Sequence, residues 1–355
     1  MTLRARIARQ VRANGPMTVA EFMTIALHDP RDGYYANADR IGRDFITAPG
    51  VSQMFGELIG AWCAHEWRAM GSPTPLQLIE LGPGDGTLMR DALRGMRSQS
   101  DFIAAARVTF VEASPSLRAV QTRTLAGLAD ATHVERLEEV APGPSVIVAN
   151  EFLDCFPIRQ FVRDRGVWRE RLVGAHPTQE DTLVFALARD PLPDDSILPE
   201  ALRGAGEGAI AAFAPQLPAF TDAVAARLRG HGGRALFIDY GDGPGGDTLQ
   251  AVRRHRKIDP LEDPGGSDLT AHVDFGLVAR EALRCGLAVH GPLPQGAWLM
   301  ALGLAQRAAA LAARHPDRAQ SFADAAARLT APDQMGSLFK VLCLSPIATP
   351  APAGF

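Results

Sequence analysis

The chain has 355 residues, long enough for one large or two modest domains around a substantial buried core. Apolar residues make up 46% and charged residues 21%, and a formal net charge of −4 gives no electrostatic basis for binding nucleic acid or an anionic membrane surface. Cys63, Cys155, Cys285 and Cys343 lie far apart with no CxxC pair, which excludes a zinc knuckle or a disulfide framework and predicts free thiols, with no metal.

The opening "MTLRARIARQVRANG" carries Arg4, Arg6, Arg9 and Arg12 with no acid before Glu21, as a mitochondrial transit peptide would. Leu3, Ile7 and Val11 nevertheless repeat at helical spacing. They lead into a second helix begun at a Thr18 cap with Glu21 three residues on, so the segment reads as the first helix of the mature fold. The pattern stays helical to about residue 70, apart from the turn-rich "HDPRDGYYANADRIGRDFITAPG", a length of loop that usually serves function. "VSQMFGELIGAWCAHEWRAM" reads as one helix.

After "GSPTP", short apolar runs alternate with helical patterns: "LQLIELG", a helix from Thr87, "ARVTFVEAS", a helix over "SLRAVQTRTLAGL", then "PSVIVANEF". This alternation predicts right-handed βαβ units and a doubly wound parallel sheet. "IRQFVRDRGVWRERLVGA" and "TLVFALARD" predict hairpin strands with a turn at Asp164 to Gly166, and 190–217 reads as an irregular insertion. A helix over "AFTDAVAARLRG" precedes the buried strand "RALFIDYG". Then come a helix over "VDFGLVAREALRCG", the strand "LAVHG", one long helix over "QGAWLMALGLAQRAAALAARH", the strand "LFKVLCLSP" and a loose tail, "IATPAPAGF". No apolar run reaches the roughly 18 residues of a spanning helix, so no integral membrane segment is expected.

The first strand-to-helix turn of such a sheet is the usual ligand site. In "LIELGPGDGTLMRDAL", Gly82, Gly84 and Gly86 permit a sharp turn with a ligand lying against the backbone. The third glycine of a dinucleotide fingerprint is replaced by Thr87, and a Walker A lysine is absent. Glu80 before the turn and Glu112 at the end of the next strand suit S-adenosylmethionine better, since a carboxylate can accept hydrogen bonds from its ribose diol. The structural alternative is that Glu80 only caps or pairs locally and the glycines make a tight turn. Asn150, Glu151 and Asp154 follow the uncharged "VIVA" at the ligand end of another strand, where carboxylates can orient an acceptor amine or guanidinium. Helix capping is again the alternative. Asp268, Thr270, His272 and Asp274 gather in "SDLTAHVDF", where His272 could contact substrate and Asp274 could cap a helix. Asp239 and Tyr240 end the strand "LFIDYG", at the ligand end if that strand is parallel.

Taken in order, "GYY", "DFITAPGVSQMFGELIGAW", "IELGPGDGTLM", "VEASPSLRAVQ", "NEFLDCFPIRQF", "IDYG", "DLTAHVDF", "GPLPQGAWLMALG" and "MGSLFKVL" resemble, almost end to end, the MidA-like (DUF185) group of class I S-adenosylmethionine-dependent methyltransferases. Mitochondrial members of that group are complex I assembly factors that methylate protein arginine. The resemblance implies an α/β fold: a doubly wound, seven-stranded, Rossmann-like class I core closed by the antiparallel strand "FKVLCLS". It further implies a helical cofactor-covering region over 1–70, a core over 71–355, and a substrate lobe inserted at about 158–230. It places the cofactor on Thr47, Pro49, Gln53, Glu80, Gly82, Gly84, Gly86, Glu112 and Asn150. Glu151 and Asp154 would face the acceptor, with Asp268 and His272 as further catalytic candidates.

Asp85 stands where the group commonly has arginine, Gly50 where "PE" is usual, and "GEGAIAAFAP" lacks a glutamate common in that insertion. The expected function is protein arginine N-methylation, of a respiratory complex I subunit or a similar protein. The expected setting is the bacterial cytoplasm, or the mitochondrial matrix if the chain is eukaryotic. No nucleic-acid partner is expected, and monomer and homodimer both stay open. The alternatives are a non-catalytic assembly chaperone that binds the cofactor structurally, a small-molecule methyltransferase, and a nicotinamide-dependent oxidoreductase, against which Thr87 argues.

Overall fold

The computed structural model describes residues 1–37, 47–241, 243 and 245–355. They form two compact units. One gathers the described residues of 1–45, 154–218 and 242–276, the other those of 46–153, 219–241 and 277–355.

The second unit holds a seven-stranded sheet of β1 (Leu76–Leu81), β2 (Ala106–Val111), β3 (Thr132–Val134), β4 (Ser145–Asn150), β5 (Gly233–Tyr240), β6 (Leu287–Pro294) and β7 (Phe339–Pro346). Their order is β6-β7-β5-β4-β1-β2-β3. β1 pairs in parallel with β2 and β4, and β4 with β5, whereas β7 runs antiparallel to both β5 and β6. This is the class I methyltransferase sheet expected from the sequence. Every residue of β1 and β5 is buried, as parallel strands covered on both faces must be. From β1 the chain winds outward to β3 and returns to β4 on the other side of β1, so the strand order reverses between β1 and β4. A ligand site belongs at the carboxyl ends there.

The helix after the glycine turn, Thr87–Gly95, is backed by the helix Gln53–Ala69. Two glycines set that approach. A Cβ on Gly56 would lie 2.7 Å from Asp91 Cβ, and one on Gly60 would lie 2.5 Å from the Ala92 carbonyl. Any larger residue at either place would push the backing helix away.

In the first unit, Leu3–Asn14 is a helix that buries Leu3, Ile7, Ala8 and Val11 and leaves Arg4, Arg9 and Arg12 exposed. The arginines are its solvent face. Thr18 and Glu21 form the expected reciprocal cap. Met17–Thr18 pairs with Val167–Ala175 in a five-stranded sheet that also holds Arg159–Asp164, Leu183–Leu187 and Ile210–Phe213. The hairpin turn falls on Arg165 and Gly166, both at positive φ as a two-residue turn requires.

Several elements differ from expectation. The covering helix is broken at Ser52, whose extended backbone separates Ala48–Val51 from Gln53–Ala69 and whose hydroxyl accepts from Met54 N. The expected long helix over 295–315 is two, Gln295–Ala301 and Leu304–Arg314, bent by 65° where Gly303 takes φ +94°. That bent pair together has the length and apolarity of a span; no single helix among the described residues does. Within 190–217 lie a short helix, Glu200–Arg203, and the strand Ile210–Phe213. A small sheet of Gln250–Arg253, Arg256–Ile258 and Asp268–Thr270 escaped the sequence pattern because its strands are only three or four residues long. The tail is not loose. Ala353 accepts from Trp62 Nε1 at 3.1 Å and donates to Glu66 Oε1 at 2.8 Å, and Phe355 packs 6.2 Å from the Trp298 ring.

Candidate functional site

The turn after β1 bends through Gly82, Gly84 and Gly86 at φ +59°, +55° and +82°, the left-handed region that side chains resist. Asp85 accepts the Thr87 N–H at 2.9 Å, an i to i+2 bond that stiffens the turn just before the helix, whose N-cap position is Gly86. Behind the turn, Glu80 is buried, and its Oε2 has no hydrogen-bond partner among the described residues. Burial, with Asp85 adding to it, pushes the Glu80 carboxyl well above the ordinary carboxylate range. An unsatisfied buried acid of this kind costs stability and calls for a ligand donor.

Glu112 sits just past β2. Its Oε1 accepts from Ser114 N at 2.8 Å and its Oε2 from Gln121 Nε2 at 3.2 Å; burial still raises its carboxyl. Gln121 is fully buried and gives the same Nε2 to the Gly84 carbonyl at 2.8 Å. One amide therefore ties the glycine turn to the acid of the neighbouring strand.

At the end of β4, Asn150 Oδ1 is a second buried atom without a partner among the described residues, while its Nδ2 donates to Glu151 Oε1 at 3.2 Å. Glu151 takes φ +50°, rare for a non-glycine residue and typical of strained functional turns. Its N–H donates to the Ile238 carbonyl at 2.8 Å, and its Oε1 also accepts from Ala48 N at 3.0 Å. It thereby caps the turn Ala48–Val51, where the Thr47 hydroxyl makes no cap of its own. Asp239, at the end of β5, accepts the N–H groups of Phe152 and Leu153 at 3.1 and 2.8 Å and fixes the loop after Glu151.

The second unit therefore brings together Glu80, the three glycines, Glu112, Asn150, Glu151 and the segment carrying Thr47 and Pro49. Gln53 is exposed and turns its amide to Glu57 at 3.2 Å. Of the turn-rich stretch 28–50, residues 38–46 lie outside the described residues.

The other acceptor-side candidates belong to the first unit. Asp154 is buried, and its carbonyl accepts from Ala271 N at 2.9 Å. Asp268 is buried beside Tyr35, whose hydroxyl lies 3.5 Å from Oδ1. Burial, with Asp268, Cys155 and Asp154 nearby, pushes the Tyr35 phenol well above its ordinary value, which places both aspartates around that ring. The His272 N–H is held by Thr248 Oγ1 at 3.3 Å. Sequence reasoning singled out neither Tyr35 nor Gln121; a lone buried tyrosine or glutamine carries no periodic signal. Among the described residues no group of three His, Cys, Asp or Glu side chains is arranged to hold a metal.

The residues fit S-adenosylmethionine: the buried acceptor atoms of Glu80 and Asn150 and the half-buried Glu112 can take hydrogen bonds from its ammonium, ribose and amine groups, and the glycine turn leaves backbone room. Residues 58–293 match the family described as S-adenosyl-L-methionine-dependent methyltransferase. The chain is 38% identical, over 96% of its own length and 85% of the relative's, to a Drosophila melanogaster protein named protein arginine methyltransferase NDUFAF7 homolog, mitochondrial. It is 33% identical, over 95% and 82%, to the human protein arginine methyltransferase NDUFAF7, mitochondrial. A Burkholderia thailandensis protein crystallised with S-adenosyl-homocysteine superposes with a TM-score of 0.85 at 26% identity, covering 99% of this chain and 94% of that one. The chain belongs to this family of S-adenosyl-L-methionine-dependent methyltransferases.

Proposed function

We propose that the chain transfers a methyl group to an arginine side chain of a protein, in a subunit of respiratory complex I or a similar protein. The observation that carries the reading is the strained, polar turn Asn150–Glu151 at the carboxyl end of β4, beside the strand that feeds the glycine turn. The relatives named protein arginine methyltransferase support it.

S-adenosylmethionine supplies an electrophilic methyl on a sulfonium. The residues hold that cofactor and prepare the acceptor. Glu80, Asn150 and the turn Gly82–Gly86 would take its amino-acid end, Glu112 its ribose, and Thr47 and Pro49 would contribute from the covering segment, whereas Gln53 is exposed and engaged with Glu57. An arginine is protonated at neutral pH, so a carboxylate must localise its charge on one nitrogen and free the lone pair of another. We assign this to Glu151. Its Oε1 accepts from Ala48 N and Asn150 Nδ2, which hold the carboxylate in place, and the proton released from the guanidinium passes to that carboxylate. Asp154, Asp268 and His272, with Tyr35, are assigned to recognition of the acceptor chain. The setting that follows is that of the acceptor: bacterial cytoplasm, or mitochondrial matrix in a eukaryote.

Mass spectrometry of arginine methylation in cells with and without the gene tests the reading. The expected result is loss of one protein site. Labelled cofactor appearing only in small molecules, or no labelling by purified protein in cell extract, would favour the small-molecule enzyme or the chaperone instead.

A further inference from the structure

The buried side chain that ties the glycine turn to the ribose acid is Gln121. Both acceptors facing its Nε2, the Gly84 carbonyl and the Glu112 carboxylate, can only accept, which fixes the amide with its nitrogen toward them and its oxygen toward His133. His133 Nε2 lies 3.1 Å from that oxygen and must therefore be the donor. Its ring packs 5.6 Å from Phe110 of β2. A Cβ added to Gly86 would lie 3.5 Å from Gln121 Cα and from the Thr124 side chain, so the helix Pro115–Leu125 lies over the far end of the same turn. Gln121 itself is fully buried, whereas its partners Glu112 and His133 are half-buried.

From this we infer that Gln121, oriented by His133, is a positioning residue that sets the Glu112 carboxylate for the ribose diol and thereby determines how strongly the site selects an intact ribose. The inference rests on the assignment of Glu112 to the ribose. Without the Nε2–H, Glu112 keeps its Ser114 donor on Oε1 and Oε2 can rotate toward the Gly84 carbonyl, which repels it. A free hydroxyl pair on the ligand would then meet a misplaced acceptor. The rest of the ligand would be held as before.

The test is calorimetric titration of the full chain with S-adenosylhomocysteine and with its ribose 2′- and 3′-deoxy analogues. Wild type, Glu112→Gln, Gln121→Met and His133→Phe are compared, with circular dichroism confirming each fold. Gln121→Met is expected to weaken S-adenosylhomocysteine about tenfold and the deoxy analogues no more than about twofold, so that discrimination collapses. His133→Phe, which keeps the ring packing, is expected to do the same to a smaller degree. Equal losses for all three ligands in Gln121→Met would reduce Gln121 to a packing role and overturn the inference. If Gln121→Met fails to fold, His133→Phe decides alone: unchanged discrimination there overturns it. If Glu112→Gln itself leaves discrimination intact, the ribose assignment is wrong and the inference falls with it. A loss in Glu112→Gln with none in Gln121→Met or His133→Phe rejects the inference while keeping the ribose assignment.

Discussion

Glu151 Oε1 accepts a hydrogen bond from the backbone N–H of Ala48 at 3.0 Å, which joins the acid after β4 to the first turn of the segment that carries Thr47 and Pro49. The observed cap needs only an acceptor oxygen, whereas the charge role proposed for Glu151 needs a carboxylate. Substitutions separate them. Glu151→Gln keeps an amide oxygen for Ala48 and should leave affinity for S-adenosylhomocysteine within about threefold of wild type. It should lower kcat by about a hundredfold or more, in the range of lost acid–base groups. Glu151→Ala should lose both. Steady-state kinetics with a confirmed acceptor check this, and full activity in Glu151→Gln would remove Glu151 from the proton pathway.

Gly82 is fixed twice over. Its φ of +59° costs any other residue about 1 kcal/mol, and an added Cβ would lie 2.7 Å from Phe152 Cδ2. Gly82→Ala should lower thermal stability and weaken S-adenosylhomocysteine at least about tenfold. Gly82→Ala with Phe152→Ala removes the collision but not the backbone cost. Calorimetric titration and thermal melts of both variants should therefore show partial recovery. Complete recovery would mean that the left-handed conformation is not needed.

Glu80 predicts a trade of stability against binding. Its carboxyl is held above the ordinary range chiefly by burial, so between that range and its raised value the folded chain binds more protons than the unfolded chain. Stability of the ligand-free protein must then fall as pH rises through that window. Glu112, raised by burial as well, adds a slope of the same sign. Glu80→Gln should flatten the pH dependence and raise stability near pH 8 by about 1 kcal/mol or more, while weakening S-adenosylhomocysteine. Urea melts at pH 5 and pH 8 read the slope. Parallel slopes for wild type and variant would show that Glu80 carries no such proton.

The sheet was legible because parallel strands buried on both faces read as continuous apolar runs such as "LQLIEL" and "SVIVA", and the glycine turn because positive φ selects glycine three times in five residues. Glu80, Glu112 and Asn150 were legible because strand-end acids and amides are conspicuous against apolar runs. The division of labour around them was not. Gln121 acts on Gly84 from 37 residues away, and Asp239 fixes Phe152 from 87 residues away, contacts that only the closed sheet creates. Asp85, unexplained as a sequence departure, accepts the Thr87 N–H and stiffens the glycine turn locally. The tail was misread because Pro, Ala and Gly look like linker wherever their partners are remote.

That tail supplies the last prediction. Arg234 and Glu66 form an ion pair at 3.0 Å with both side chains 1% exposed, and each spends a second group on the chain end: Arg234 Nη2 donates to the Pro350 carbonyl at 2.9 Å, and Glu66 Oε1 accepts from Ala353 N. A buried pair is tolerable only when its remaining lone pairs and protons are satisfied, and here the tail backbone satisfies them. Glu66→Ala strands a buried guanidinium and should cost about 3–5 kcal/mol in urea unfolding. Deleting 350–355 leaves the pair intact but strips its outer partners and that of Trp62, so a smaller loss of about 2–3 kcal/mol is expected. Glu66→Met with Arg234→Met removes both charges and should recover most of what Glu66→Ala loses. If the deletion leaves stability unchanged, the tail contributes nothing to the pair. If the double variant is no better than Glu66→Ala, the cost lies in packing rather than in an uncompensated charge.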